Sequence, residues 1–156
     1  IMTPWPIDTS GNKISSNVGM YWSTETVDIV SLPNYTSQET AAKDYDSCGN
    51  TDKIVAQGNA STYPAAWATR KYAPTTATKG KWCLPAAGIL RNIQKNLSAI
   101  STTVSKVGGA SNLLNHWVWS SSEYSSNYAW GAYLNTSIWL SYAKDYSGYV
   151  LPVLAF

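Results

Sequence analysis

From Asn115 to Phe156 the chain carries Trp117, Trp119, Trp130, Trp139 and six tyrosines among Ser, Gly and Asn, with Glu123, Lys144 and Asp145 as its only charges. This stretch constrains the fold most. A hidden core has little use for so much Tyr, Ser and Asn, and a solubilising surface would carry more charge. Tyr offers wide amphipathic contact area at low entropic cost, and Ser, Gly and Asn offer adaptable hydrogen bonds, as in antibody-like contact surfaces. The segment therefore reads as a display surface for another macromolecule. Its candidate strands are Trp117–Ser121, Ala129–Asn135, Ile138–Ala143 and Tyr149–Ala155. Within Ala129–Asn135, alternation sets Trp130, Ala132 and Leu134 on one face and Gly131, Tyr133 and Asn135 on the other; the first set reads as buried and the second as presented.

The preceding residues pattern differently. Ile89, Ile93, Leu97, Ile100, Val104 and Val107 recur at spacings of three and four, which predicts a helix facing a core. Pro85 stands before it, Gly108-Gly109 end it, and Asn96 and Ser98 mark a break into two pieces. A second helix is expected over Tyr63–Tyr72, where Pro64 suits the first turn. Short strands are expected at Gly19–Ser23 and Val27–Leu32. Residues 33–61 read as irregular, with one short helix at Glu39–Tyr45. Helices first and antiparallel strands last give an α+β class, and 156 residues suit one domain, 1–156.

Composition excludes several functions. Net charge is +2 with no block of Lys and Arg, so nucleic-acid binding has no electrostatic footprint. No apolar run approaches the roughly 20 residues of a membrane span. Ile1-Met2 is neither an initiator nor a signal peptide and reads as a trimmed or processed start. Few charges and many Thr, Ser, Tyr and Trp suit a secreted or surface protein. Cys48 and Cys83 leave two readings open: a disulfide contributing about 3 kcal/mol, or two buried free thiols. With one His and no CxxC, a zinc site is not expected. Asp44-Tyr45-Asp46, with Asn50 and Asp52, could form an oxygen-rich loop site, though a solvated turn is the preferred reading. No GxSxG accompanies any Ser, and Glu123 and Asp145 are the only carboxylates of the aromatic segment, so no catalytic residue, metal or cofactor is assigned.

Two stretches carry a family resemblance. Trp119-Ser120-Ser121-Ser122-Glu123, Ala129-Trp130, Lys144 and Val150-Leu151-Pro152-Val153-Leu154-Ala155-Phe156 resemble the C-terminal variable region of diversity-generating retroelement proteins. Gly80-Lys81-Trp82-Cys83-Leu84-Pro85-Ala86-Ala87-Gly88 resembles the Gly-Trp-x-Leu-Pro element of the same group. The resemblance implies a C-type lectin fold of the formylglycine-generating-enzyme-like branch, with two helices and a mostly antiparallel sheet rich in irregular loops. It implies a variable region at about 115–150 and a non-enzymatic, receptor-binding function. It places the protein outside the cell, on a bacterial surface or phage virion, with a cell-surface protein or glycan as ligand; several copies displayed together would bind more strongly than one, an arrangement the sequence leaves open.

In such elements template Asn codons become NNY codons, which cannot encode Trp, Glu, Lys, Met or Gln. Trp119, Glu123, Trp130, Trp139 and Lys144 would then be unvaried scaffold. The diversified contact residues carried over are His116, Val118, Tyr124, Asn127, Tyr128, Gly131, Tyr133, Leu140, Ser141, Tyr142, Asp145, Tyr146 and Ser147. Ile89 and Leu151 stand where the family has Glu and Arg; an apolar contact in place of an ion pair is expected there. Glu-Pro-Asn, Gln-Pro-Asp and Trp-Asn-Asp, the calcium ligands of sugar-binding lectins, are absent. The alternatives are a fixed-specificity adhesin or carbohydrate-binding module of the same fold, and an enzyme related to the formylglycine generators, which would need a reactive cysteine pair.

Overall fold

The computed structural model describes residues 1–14, 19–104, 106 and 116–154. The fold is α+β. Among the described residues it holds five α-helices where the resemblance implied two: α1 (Gln38–Ala41), α2 (Ser47–Gln57), α3 (Pro64–Lys71), α4 (Ala87–Lys95) and α5 (Leu97–Val104), of which all but α2 fall on helices expected from local pattern. The break between α4 and α5 falls at Asn96, as its side chain and those around it suggest; Val107 lies outside the described residues.

The unexpected helix is α2. Its buried face is Ser47, Asn50, Thr51 and Ile54. That face has helical spacing, but three of its four residues are polar, so apolar periodicity does not reveal it. Asp46 caps it, accepting from the Gly49 amide at 2.9 Å. Asp46 is therefore committed to the helix, and Asp52 to an ion pair with Arg70. Asp44 is buried and accepts from Asn50 Nδ2 (2.7 Å) and Ser122 Oγ (2.5 Å). Where a solvated turn was expected, Asp44 and Asn50 form a hydrogen-bonded polar interior, while Tyr45, Asp46 and Asp52 stay exposed.

Strands β2 (Trp117–Glu123), β3 (Tyr128–Tyr133) and β4 (Trp139–Ala143) form an antiparallel sheet in the order β2-β3-β4. A smaller sheet pairs β1 (Trp82–Cys83) with β5 (Val153–Leu154). The expected strand Tyr149–Ala155 is thus two short pieces: Tyr149 bridges Val118, and Val153–Leu154 cross to β1. Pro152 supplies no amide to a continuous ladder. The early strands are corrected more strongly. Met20 bridges Gly148, and the amides of Trp22 and Ser23 both donate to Lys144 O, so Gly19–Ser23 is anchored without a ladder. Val27–Leu32 forms no strand. Its Val27 and Val30 are exposed, while Ile29 is buried with its amide on a side chain.

The three-stranded sheet is covered on both faces. Trp117, Trp119 and Ala129 face one cluster with Trp22, Ile54, Tyr63 and Leu84. Val118, Trp130, Ala132, Leu134 and Trp139 face another with Leu90, Ile93 and Leu151. Ile89 packs half-buried against that second cluster, of which Leu151 is a fully buried member. Cys48 and Cys83 form a disulfide that ties the start of α2 to β1 across 35 residues.

Candidate functional site

The sheet register decides which nominated residues can meet a ligand. Gly131 opposes Trp119 on one side and Leu140 on the other, and Tyr133 opposes Trp117. Ala129 opposes Tyr142. The face built from Trp117 and Trp119 therefore continues across β3 to Leu140 and Tyr142, both exposed on the edge strand. Trp117 lies 5.4 Å from Tyr133 and 5.6 Å from Tyr142, ring centre to ring centre, and Tyr142 lies 4.3 Å from Tyr146. Asp145, Tyr146 and Ser147 follow β4 in an exposed turn. His116 is half-buried against Tyr149, with ring centres 4.2 Å apart.

The opposite face carries a second aromatic chain. Tyr124 is 6.3 Å from Tyr128 and 5.7 Å from Trp130, which is 5.1 Å from Trp139. Tyr128 and the turn residue Asn127 are exposed, and Tyr124 and Ser141 are half-buried. Eleven of the thirteen nominated residues thus reach solvent, but their rings form two groups on opposite faces of the sheet.

Two nominations are corrected. Val118 is fully buried in the second cluster and presents no side chain. Gly131 is buried, and a Cβ there would sit 2.5 Å from both Trp117 Cζ2 and Val118 O. Glycine lets the Trp117 ring lie against β3; any other residue must displace backbone or indole.

The scaffold residues are held by unusual interior polarity. Glu123 and Lys144 are 0% and 1% exposed and form an ion pair. The Glu123 carboxylate also accepts from the Ile29 amide at 3.1 Å, and Lys144 Nζ donates to Val27 O at 2.7 Å. The ammonium lies 4.8 Å above the Trp22 ring. Burial pushes the Glu123 carboxyl above its ordinary value and the Lys144 ammonium below its own, each opposed by its partner. This pair fastens segment 20–35 to the sheet. A lone Glu and a lone Lys in an almost uncharged segment were the sequence signal for it.

Ser120, Ser121 and Ser122 are fully buried, against the reading of the segment's serines as presented. They lie where the β2–β3 register shifts between Trp119 and Glu123. Ser122 Oγ accepts from the Ala87 amide at 2.8 Å, the Gly88 amide donates to Asp44 O, and Ser47 Oγ accepts from the Ala86 amide. Helix α4 has no side-chain cap of its own. Its first amides are satisfied across the fold.

Beside Trp117 lies a cleft of about 170 Å³, lined by His116, Trp117, Tyr133, Tyr146, Ser147 and Tyr149, with Gly19 and Gly148 at its walls. Burial first, and then Tyr146, raise the Tyr133 hydroxyl above the ordinary tyrosine value; burial does the same for Tyr149. Trp117, Tyr149, Gly19 and Gly148 were not nominated. Their contribution is tertiary, because 19 and 116–149 meet only in the fold.

Among the described residues no set of His, Cys, Asp and Glu is placed to hold a metal ion, and no helix is long and apolar enough to cross a membrane. Comparison with protein-family models, with curated proteins and with solved structures finds no match to this chain.

Proposed function

We propose that this chain is a non-enzymatic ligand-binding domain whose contacts come from aromatic and small polar side chains on the β3–β4 sheet and the turns around it. The observation that carries this reading is the division of labour within one short segment. Trp119, Trp130, Trp139, Glu123 and Lys144 are buried, whereas Tyr128, Leu140, Tyr142, Asp145, Tyr146 and Ser147 are exposed. A rigid interior with interchangeable outer side chains suits a surface that varies while its frame stays fixed, since exposed substitutions typically change stability by no more than about 0.5 kcal/mol.

On the same basis the domain is read as a C-type lectin-like variable protein of a diversity-generating retroelement, with a cell-surface protein or glycan as ligand. The disulfide supports an extracellular setting, on a bacterial surface or phage virion, because such bonds persist under oxidising conditions. Display in several copies would turn weak single contacts into firm attachment.

The test is to sequence the DNA encoding residues 115–150, with its surroundings, across a growing population. Variation at NNY codons for Tyr124, Tyr128, Tyr142, Tyr146 and Ser147 is expected. Glu123, Trp130 and Lys144 should be constant, with an Asn-codon-rich near-copy nearby. An invariant region without a near-copy would remove diversification and leave a fixed-specificity adhesin.

A further inference from the structure

The two outer edges of the three-stranded sheet are finished differently. Tyr149 and Pro85 answer the backbone of β2, whereas among the described residues no strand lies along the outer edge of β4. The hydrogen bonds fix which β4 groups face outward. The Tyr133 amide donates to Ile138 O and the Lys144 amide to Asn127 O. With the unbroken β3–β4 register, Leu140 and Tyr142 then bond to β3, and the backbone groups of Trp139, Ser141 and Ala143 point away from it. Two of these are occupied: Trp139 O accepts from Gln38 Nε2 at 2.8 Å, and Ala143 O from the Tyr146 amide at 2.9 Å. The Trp139, Ser141 and Ala143 amides and the Ser141 carbonyl have no partner among the described residues.

Such an edge is a template for a further strand, and proteins that stay single blunt it with Lys, Pro, a bulge or an inward charge. Trp139-Leu140-Ser141-Tyr142-Ala143 has none of these. The strand is also complementary to itself. Set antiparallel to a second copy about a two-fold axis, it overlaps along all five residues only when the pairing is centred on Ser141. Ser141 then exchanges both backbone bonds with its counterpart. Trp139 faces the small Ala143 of the other copy, and Leu140 faces Tyr142. Leu140 and Tyr142 are 38% and 40% exposed, and cross-strand pairs of this kind stabilise sheets. The Trp139 and Ala143 amides reach carbonyls that keep a second lone pair. Charge agrees as well: β4 contributes none, and the exposed Asp145 falls opposite Ser137 rather than another carboxylate.

We propose that the β4 edge is an interface for a second copy of this chain, joined antiparallel about Ser141 into one six-stranded sheet. A two-fold axis normal to the sheet leaves the same face outward in both copies. Leu140 and Tyr142 of each copy then lie side by side on one continuous face. The inference does not depend on what that face binds. A five-residue seam buries less than the roughly 1,200 Å² of a stable interface. The dimer is therefore weak, with a Kd of roughly 10 µM to 1 mM, and it strengthens where copies are held close together.

The experiment is sedimentation equilibrium, up to about 1 mM chain, of the parent, Ser141→Lys, Ser141→Glu and an equimolar mixture of the two variants. The average mass of the parent should rise with concentration from 17.0 kDa towards twice that value. Each variant alone sets like charges opposite one another across the axis and should associate at least about tenfold more weakly. The mixture, which pairs Lys with Glu, should return to within about threefold of the parent. In the parent, hydrogen exchange of the Ser141 amide should slow as concentration rises, whereas Leu140, already bonded to β3, should change little. That measurement carries the test should the variants fail to fold. A mass of 17.0 kDa at every concentration overturns the proposal and leaves the edge to an extended segment of another protein. Association that Ser141→Lys does not weaken also overturns it, as does a mixture no stronger than either variant alone. The ligand-binding reading is untouched by these outcomes and rests on the codon test.

Discussion

Strands β2 and β4 draw on the same residue types and meet opposite fates. All seven residues of β2, Trp117–Glu123, are buried, including three serines and a glutamate. In β4, Trp139–Ala143, burial alternates, with Trp139 inside and Leu140 and Tyr142 outside. Both flank β3, so the difference lies in what covers their other edge. Along β2, the Trp119 amide donates to Tyr149 O, the Tyr149 amide to Trp117 O, the Ser121 amide to Pro85 O and the Tyr35 amide to Glu123 O. Both β2 faces also meet apolar clusters. Along β4, among the described residues, the Gln38 side chain donates to Trp139 O. Composition does not separate a polar interior strand from a display strand; the second edge does.

The largest effect expected from breaking this contrast lies at the buried ion pair. Lys144→Met leaves the Glu123 carboxylate buried and unpaired and should cost about 3–5 kcal/mol in urea unfolding. Adding Glu123→Gln, which keeps an acceptor for the Ile29 amide, should recover most of the loss. A double-variant loss equal to the sum of the Lys144→Met and Glu123→Gln losses would show the charges to be independent. Gly131→Ala comes next, at about 1–3 kcal/mol from overpacking against Trp117 and the Val118 carbonyl. A crystal structure or melting curve indistinguishable from the parent would return Gly131 to the variable positions.

Ser122→Ala should cost about 1–3 kcal/mol, because the Ala87 amide and Asp44 both lose their hydroxyl partner. The matching change on β4, Tyr142→Ser, should shift stability by at most about 0.5 kcal/mol. If Tyr142→Ser proves the costlier of the two in the same denaturation series, the comparison of strands fails.

The smallest effect at neutral pH is the tyrosine titration. Burial holds the Tyr63, Tyr72 and Tyr149 hydroxyls above their ordinary value. The folded chain therefore keeps these protons after the unfolded chain, which titrates near pH 10, has released them. Their contribution is complete below about pH 10 and declines as pH rises through the folded values. Absorbance at alkaline pH should show a late-titrating class among the 11 tyrosines that normalises on unfolding.

Local pattern alone was enough for several features. Pro64 and the Ala-rich run mark α3, the Ile89–Ile93–Leu97–Ile100 spacing marks α4 and α5, and period-two alternation places Trp130, Ala132 and Leu134 together inside. Each depends on neighbours a few residues away, and those are written in order along the chain. The sequence also picked out Glu123, Lys144 and the tryptophans as a set apart from the tyrosines. Only the tertiary structure decided the rest. Helix α2 forms because its polar face meets Leu84 and Ala86 amides, and Ser120–Ser122 are buried because α4 needs acceptors at its start. Gly131 is fixed by an indole from another strand, and segment 20–35 lies on a carboxylate and an ammonium roughly a hundred residues away. Each of these depends on where a partner between 14 (Trp117 to Gly131) and 117 (Val27 to Lys144) residues distant comes to rest, and no local period encodes that.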